Sequence, residues 1–411
     1  MDATGFNTAL LHGTGETYSY GATQAPLYQS SAFRHDSAEE LERIFGNKAM
    51  GFSYTRINNP TIEAFERKVT LLEGGIGSVA CASGMAALCN ALLNILRAGN
   101  EIVASAGLYG GTVELLTELE NFGIRTRYVE KNCPDEYAAR INANTRVLFA
   151  ETIGNPKLDV TDLAGVARVA EKYKLPLIVD NTAATPYLAR PIEYGAEITI
   201  NSSSKYMNGN SNAISGVLTS VGRFVWDERY PGMEPYKKYG TFAYLAKLRN
   251  GLFRDLGACL APMSAFLNLQ GLETLGLRME RQCSNAGKLA EFLGDMDPAI
   301  SVNYPGLETS PWRELAKRQF AGHYGALVTA RCGSKERAFK IINNLKLPYI
   351  ISNIGDTKTL VIHPASTIAN HLSEEERISS GVYEDLIRIS VGIEDIEDLK
   401  RDFEQAIQKS R

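Results

Sequence analysis

The sequence predicts an α/β protein: a mainly parallel seven-stranded sheet covered by helices, followed by a smaller α+β C-terminal domain. Three observations predict it. From residue 79 to residue 219, short apolar stretches alternate with helix-patterned stretches. Alternation of that length builds a parallel sheet with helices on both faces. The alternation stops over residues 222–260, where Trp226, Pro231, Pro235 and several tyrosines and lysines cluster, and a second run of strands and helices follows. Finally, 44% of the 411 residues are hydrophobic and 22% charged, which excludes wholesale disorder and suits about two to three folded domains.

The elements follow in order. Residues 1–55 are rich in Gly, Thr, Ser and Tyr with weak periodicity, and read as an extended arm with one short helix over 38–44. Asn59 is an expected N-cap, with Pro60 at the first helical position. Ile62, Phe65, Val69 and Leu72 then share one helical face, which Gly74-Gly75 ends. Strands are expected at 79–82, 101–104, 125–129, 146–150, 177–180, 198–201 and 216–219. Ser83-Gly84-Met85 opens a helix carrying Leu88, Leu92, Leu93 and Leu96, and Leu163, Val166, Val169, Ala170 and Tyr173 mark another. Residues 222–260 read as a connection into one long helix over 263–287. The second domain has strands near 326–331, 359–363 and 387–391 and a helix near 335–344. A closing helix carries Ile396, Leu399, Phe403 and Ile407. The parts are an arm (1–55), a cofactor-binding domain (56–255) and a C-terminal domain (256–411).

Composition excludes several functions. A net charge of −4 offers no bulk attraction to nucleic acid or an anionic membrane. The longest apolar stretch, 86–98, is interrupted by Asn90, Asn94 and Arg97 and is shorter than the roughly 20 residues a bilayer needs. The opening Met1-Asp2-Ala3-Thr4 has no basic or apolar leader pattern, so no signal peptide is expected. Six cysteines without a CxxC pair suit reduced thiols in a cytoplasmic protein. The five histidines, His371 among them, are scattered without zinc-ligand spacing.

Ligands of parallel sheets sit beyond the carboxyl ends of the strands, so residues just past each strand carry the functional reading. Asp180 ends one strand, Lys205 follows Asn201-Ser202-Ser203-Ser204 after the next, and Ser83-Gly84-Met85 opens a helix after the first. Each alone is commonplace: a solvated lysine, a turn aspartate, a helix cap. Together they meet three demands of pyridoxal phosphate. A lysine of lowered pKa suits Schiff-base chemistry. An aspartate can pair with a protonated pyridine nitrogen, and free N–H groups at a helix start suit a phosphate. The competing signatures GxGxxG, GxxxxGK[ST] and GxSxG are absent from the chain.

Longer motifs carry a resemblance. They are Tyr54-Thr55-Arg56-Ile57-Asn58-Asn59-Pro60, Ala82-Ser83-Gly84-Met85-Ala86-Ala87, Leu108-Tyr109-Gly110-Gly111-Thr112 and Glu151-Thr152-Ile153-Gly154-Asn155-Pro156. Further along stand Val179-Asp180-Asn181-Thr182, Ser202-Ser203-Ser204-Lys205-Tyr206, Leu269-Gln270-Gly271-Leu272-Glu273-Thr274-Leu275 and Ile387-Arg388-Ile389-Ser390-Val391-Gly392. Over essentially its whole length the chain resembles the cysteine/methionine-metabolism family of pyridoxal-phosphate enzymes, of the aspartate-aminotransferase fold (fold type I).

The resemblance implies roles. Lys205 would bond the cofactor and move protons between substrate carbons. Asp180 would keep the pyridine nitrogen protonated. Tyr109 would stack on the ring and assist at the leaving group. Ser83, Gly84, Met85, Ser202 and Ser204 would surround the phosphate, with Asn155 and Thr182 close to the ring. Tyr54 and Arg56 would reach into a neighbouring subunit's site, in a homotetramer built of two dimers. Arg388 would clamp the substrate carboxylate, with Ser352, Asn353 and Tyr54 also toward substrate. The chain departs from the family at two places. Asn201 stands where His is usual, and Asn208-Gly209-Asn210-Ser211 stands where a Gly-Gly-His stretch is usual.

Within the family, aliphatic Ile351 cannot pair with the second ammonium group of cystathionine. Gly111 stands where methionine γ-lyases often have Cys. The stretch 352–366 most resembles O-acetylhomoserine sulfhydrylases. The implied reaction is γ-replacement on O-acetyl-L-homoserine by sulfide or a thiol, giving homocysteine or methionine and acetate in methionine biosynthesis. The sulfur donor could also be a carrier-protein thiocarboxylate. The alternatives are methionine γ-lyase, O-succinylhomoserine sulfhydrylase, cystathionine γ-synthase and, remotely, a non-catalytic binding protein.

Overall fold

The computed structural model describes residues 5–370 and 372–411. Residues 1–4, on which the leader expectation rests, and His371 lie outside the described residues. The seven expected strands are β1 (Gly77–Cys81), β2 (Glu101–Ser105), β3 (Arg125–Val129), β4 (Thr145–Glu151), β5 (Leu177–Asp180), β6 (Ile198–Asn201) and β7 (Gly216–Ser220). They form one sheet in the order β1-β7-β6-β5-β4-β2-β3. β7 runs antiparallel to both neighbours, and the remaining pairs are parallel.

Side-chain alternation divides the sheet into two buried faces. Ile102, Phe149, Ile178 and Ile198 enter the core under the Gly84–Leu93 helix, while Val103, Leu148, Leu177 and Val179 pack against the Leu163–Tyr173 helix. The Pro60–Glu73 helix begins as its sequence requires: Asn59 Oδ1 accepts the Thr61 N–H at 2.9 Å, and left-handed Gly74 ends it.

A second sheet comprises β8 (Ser301–Asn303), β9 (Leu327–Arg331), β10 (Tyr349–Ile350), β11 (Leu360–Ile362) and β12 (Leu386–Ser390), in the order β10-β11-β12-β9-β8. Its core joins Leu289 and Leu293 of the Leu275–Met296 helix to Leu399, Phe403 and Ile407 of the closing Ile396–Gln408 helix.

Three expectations need correction. The arm holds a second helix, Phe6–His12, because Leu10 is fully buried and Phe6 packs edge-on against Tyr187. Residues 222–260 are largely helical (Pro231–Phe242, Ala243–Asn250, Leu252–Leu256), with Trp226 stacked on Tyr244 over the sheet. The long helix over 263–287 is two helices, Pro262–Leu272 and Leu275–Met296. Tertiary bonding rewards the break. Arg278 caps the Gly271 carbonyl at 2.7 Å and reaches the Tyr206 carbonyl at 2.6 Å.

Candidate active site

β1, β2, β4, β5 and β6 point the same way, so their carboxyl ends share one edge. Past β1, Ser83 Oγ accepts the Ala86 N–H at 3.0 Å and starts the Gly84–Leu93 helix. The first-turn N–H groups there have no partner within the helix. A Cβ at Gly84 would lie 2.6 Å from the Ser202 Cβ, so the backbones after β1 and β6 approach only because this residue is glycine. Past β5, the Thr182 N–H donates to Asp180 at 2.9 Å, and Thr182 Oγ1 accepts the Ser202 N–H at 2.8 Å. Glu151 ends β4, and Asn155 follows it. Glu151 accepts the Tyr109 N–H at 2.7 Å, which anchors the segment after β2. The second sheet contributes Arg388 on β12 and the loop carrying Ser352 and Asn353.

These elements enclose a cavity of about 390 Å³. Lys205 faces it, and burial, aided by nearby Arg388, lowers its amine to about 8. Lys205 Nζ donates to Asn353 Oδ1 at 2.5 Å. Burial raises the Asp180 carboxyl against the pull of its Thr182 bonds, and no cationic side chain among the described residues pairs with it. Arg388 is 3% exposed, and burial lowers its guanidinium to about 10. It donates to Asn155 Oδ1 at 3.2 Å and to the Asn353 carbonyl at 2.9 Å, while its Nε has no partner and no carboxylate among the described residues answers it.

A buried anion without a cation, and a buried cation without an anion, are costly unless a ligand completes both. A protonated ring nitrogen completes Asp180, a carboxylate completes Arg388, and the helix start beside the Ser202 hydroxyl suits a phosphate. The residues present therefore fit pyridoxal 5'-phosphate together with an amino acid.

Every expected site residue lines this cavity except Tyr54 and Arg56. Arg56 donates to the Arg254 carbonyl at 2.7 Å and lies over the Tyr54 ring at 5.5 Å, and Tyr54 is 43% exposed. Ser204 lines the cavity, but its hydroxyl is engaged by the Ser215 backbone, donating to the carbonyl at 2.9 Å and accepting the N–H at 2.8 Å. Ile351 is exposed and outside the cavity; Ile354, Ile368 and Ile214 supply apolar wall instead.

Sequence reasoning missed two carboxylates. Glu151 is buried beside Asp180, and that burial, with Asp180's charge, pushes it well above the usual carboxylate range. Its position at the end of β4 was a usable signal. Glu73 lies behind the cavity, accepting from Asn201 Nδ2 at 2.6 Å and Asn181 Nδ2 at 3.2 Å, and burial raises it to about 7. Asn201, the departure before the serine run, therefore ties strand ends together from behind and does not face the cavity.

Comparison with known proteins adds to this geometry. A family model described as Cys/Met metabolism PLP-dependent enzyme matches residues 7–408. An O-acetyl-L-homoserine sulfhydrylase of Leptospira meyeri is 40% identical over 98% of this chain and 96% of its own. An L-methionine gamma-lyase of Fusobacterium nucleatum subsp. polymorphum is 37% identical over 98% of each chain. A solved structure described as an O-acetylhomoserine (thiol)-lyase from Campylobacter jejuni subsp. jejuni, which carries a pyridoxyl-lysine monophosphate, superposes with a TM-score of 0.94. It is 34% identical and covers 98% of this chain and 100% of that one.

Proposed function

The chain belongs to the Cys/Met metabolism PLP-dependent enzymes, and on that premise we propose that it replaces the acetyl ester of O-acetyl-L-homoserine with a sulfur nucleophile. With sulfide the products are homocysteine and acetate, a step of methionine biosynthesis; with methanethiol the product is methionine. The observation that carries the reading is an amine lowered to about 8, set between a buried carboxylate and a buried guanidinium that both lack counter-charges.

Bound pyridoxal 5'-phosphate supplies an electron sink for charge developing at substrate carbon. The chain's own residues do the rest. Gly84 and Met85 N–H groups, Ser83 and the Ser202 hydroxyl hold the phosphate, and Ser204 joins them only by releasing the Ser215 carbonyl. Asp180 keeps a proton on the ring nitrogen, and Thr182 and Asn155 bound the ring. Arg388 receives the α-carboxylate through two of its donors, with Ser352 and Asn353 beside it. Lys205 takes the α-proton, which its lowered pKa permits near neutral pH. Tyr109 covers the ring and assists departure of acetate.

Tyr54 and Arg56 lie outside this chain's cavity, which supports their serving a neighbouring subunit's site in a homotetramer. The two sheets support the division into arm, cofactor-binding and C-terminal parts. The Pro262–Leu272 helix packs on the Pro60–Glu73 helix, which supports a seam through Leu275–Met296 in place of one at residue 256. No helix among the described residues is long and apolar enough to cross a membrane. Six free thiols support a cytoplasmic setting. Sulfide is the simplest donor, with a carrier-protein thiocarboxylate as the alternative.

The test is product analysis. O-acetylhomoserine with sulfide should yield homocysteine and acetate, whereas methionine alone should yield little 2-oxobutyrate. The reverse outcome makes the chain a γ-lyase. Lys205→Ala should abolish turnover, and retained turnover would end the assignment.

A further inference from the structure

The loop after Lys205 reaches the site through a chain of hydrogen bonds that the proposed reaction does not by itself explain. Asn353 Oδ1 accepts from Lys205 Nζ at 2.5 Å. The same amide donates through Nδ2 to Ser211 Oγ at 2.9 Å. Ser211 in turn donates its hydroxyl to Asp356, which is 3% exposed. Asp356 also accepts the Lys358 N–H at 2.9 Å and pairs with its ammonium group at 2.8 Å. Burial works against ionisation here, but these partners hold the Asp356 carboxyl below its ordinary value.

The polarity of that chain is determined from its buried end. An ionised carboxylate can only accept, so the single hydroxyl proton of Ser211 points at Asp356. Ser211 Oγ is then left as an acceptor toward Asn353, which must present its NH₂ there. Its carbonyl oxygen consequently faces Lys205. The opposite amide orientation would aim two N–H groups at an amine that carries protons of its own.

We propose that Ser211, backed by Asp356, is a positioning residue that fixes the Asn353 carboxamide as a hydrogen-bond acceptor for the Lys205 nitrogen. The inference rests on the reading of Lys205 as the reactive amine, but not on which sulfur donor or ester is used.

The two loops are strapped together elsewhere, so the relay has a rigid base. The Thr357 N–H donates to the Gly209 carbonyl at 2.9 Å, and the Gly355 N–H to Ser390 Oγ at 3.0 Å. Gly355, at φ +76°, lies against the Tyr206 backbone, where a Cβ would collide. Ser211 itself holds φ +54°, a left-handed conformation uncommon for serine, which its two side-chain bonds accompany. The titratable and charged groups sharing the cavity with Lys205 are Asp180 from β5, Glu151 from β4, Tyr109 from the segment after β2, and Arg388 from β12. Of these only Arg388 bonds Asn353, and it does so through the backbone carbonyl. Carboxylate binding and amide orientation are therefore separable.

The experiment uses holoenzyme carrying Ser211→Ala or Ser211→Gly, with two readouts. The first is the pH midpoint of the visible absorption change of the resting holoenzyme, which needs no turnover. A fixed acceptor favours the protonated lysine nitrogen, so Ser211→Ala should move the midpoint to lower pH by about half a unit or more, consistent with losing one net hydrogen bond. The second is a kcat-against-KM split. Ser211→Ala should lower kcat about fivefold with KM for the amino acid unchanged within about twofold, and Ser211→Gly, which suits the left-handed backbone but lacks the hydroxyl, should change both readouts in the same way. A Ser211→Ala enzyme with the wild-type midpoint or the wild-type kcat overturns the relay, as does one whose KM rises in step with the loss, or a glycine variant that keeps the wild-type values. If the wild-type enzyme runs no γ-replacement, the kinetic split is read on whichever amino acid it turns over. The absorbance midpoint still decides the relay, and the two failures stay distinct.

Discussion

At Gly111 the absence of a side chain has a definite geometric use. A Cβ there would lie 2.6 Å from Tyr109 Cε1 and 3.2 Å from Cζ, so the ring occupies space that any other residue would claim. Gly111→Ala should push the Tyr109 ring off its position and lower kcat/KM for O-acetylhomoserine about tenfold, the scale expected for a small misplacement at the chemistry. An unchanged value in steady-state kinetics would show that the ring moves at no cost. The same residue marks how far sequence reading reaches. Lys205, Asp180 and Ser83 were found because each lies at or just past the end of a strand. Glu73, Ser211 and Asp356 were not, because their meaning lies in partners far away in sequence. Asn201 meets Glu73, and Ser211 meets both Asn353 and Asp356. Only folding brings those pairs together. Ile351, which the sequence marks as a specificity position, is exposed and does not line the cavity.

Among the elements, buried strands were the most legible, because an apolar run with polar ends can occupy only the sheet centre. The short strands β8 and β10 were not, since their residues are largely exposed and carry no apolar pattern. The broken helix after residue 262 was missed for a different reason. Its periodicity continues across Glu273 and Thr274, whereas Arg278 bonds the Gly271 carbonyl across the break and the distant Tyr206 and Met207 carbonyls, partners that no local pattern announces. The end of the Pro60–Glu73 helix carries a testable consequence. Glu73 bridges Asn181 and Asn201, the residues beside Asp180 and Ser202, while its Oε2 and Asn201 Oδ1 have no partner. Its carboxyl is raised from 4.5 to about 7, with burial the dominant cause. The folded state therefore holds this proton where the unfolded chain has lost it. The associated stability is full below about pH 4.5 and declines as pH rises through about 7, by on the order of 3 kcal/mol. Glu73→Gln keeps an acceptor for both asparagines and adds a donor on the unpartnered side. It should melt with the wild type near pH 5 and about 3 °C above it at pH 8. Calorimetry at the two pH values checks this, and a difference independent of pH would contradict it.

For the whole molecule, the question is whether one chain holds a complete site. Tyr54 and Arg56 sit on its surface away from the cavity, and a second copy is the proposed recipient. Complementation measures it. Lys205→Ala and Arg56→Ala proteins should each be nearly inactive alone. Unfolded together and refolded, they should recover about a quarter of wild-type activity, the statistical share of intact sites in a symmetric dimer. No recovery from properly assembled mixtures would mean that Arg56 serves the same subunit's site as Lys205, and an active Arg56→Ala protein would place it outside the chemistry. Fold class and the two-sheet plan were legible because hydrophobic period reports burial directly, whereas the seam through Leu275–Met296 was not, since both sides of it are equally apolar. The seam has a further meaning during synthesis. Asp180 and Lys205 leave the ribosome with the first half of the chain, but Asn353 and Arg388 come from its last quarter. A nascent chain can complete its large sheet and display the lysine while nothing yet grips a carboxylate or orients the amine. β12, the strand that brings Arg388, therefore sets when the proposed grip on a carboxylate can form.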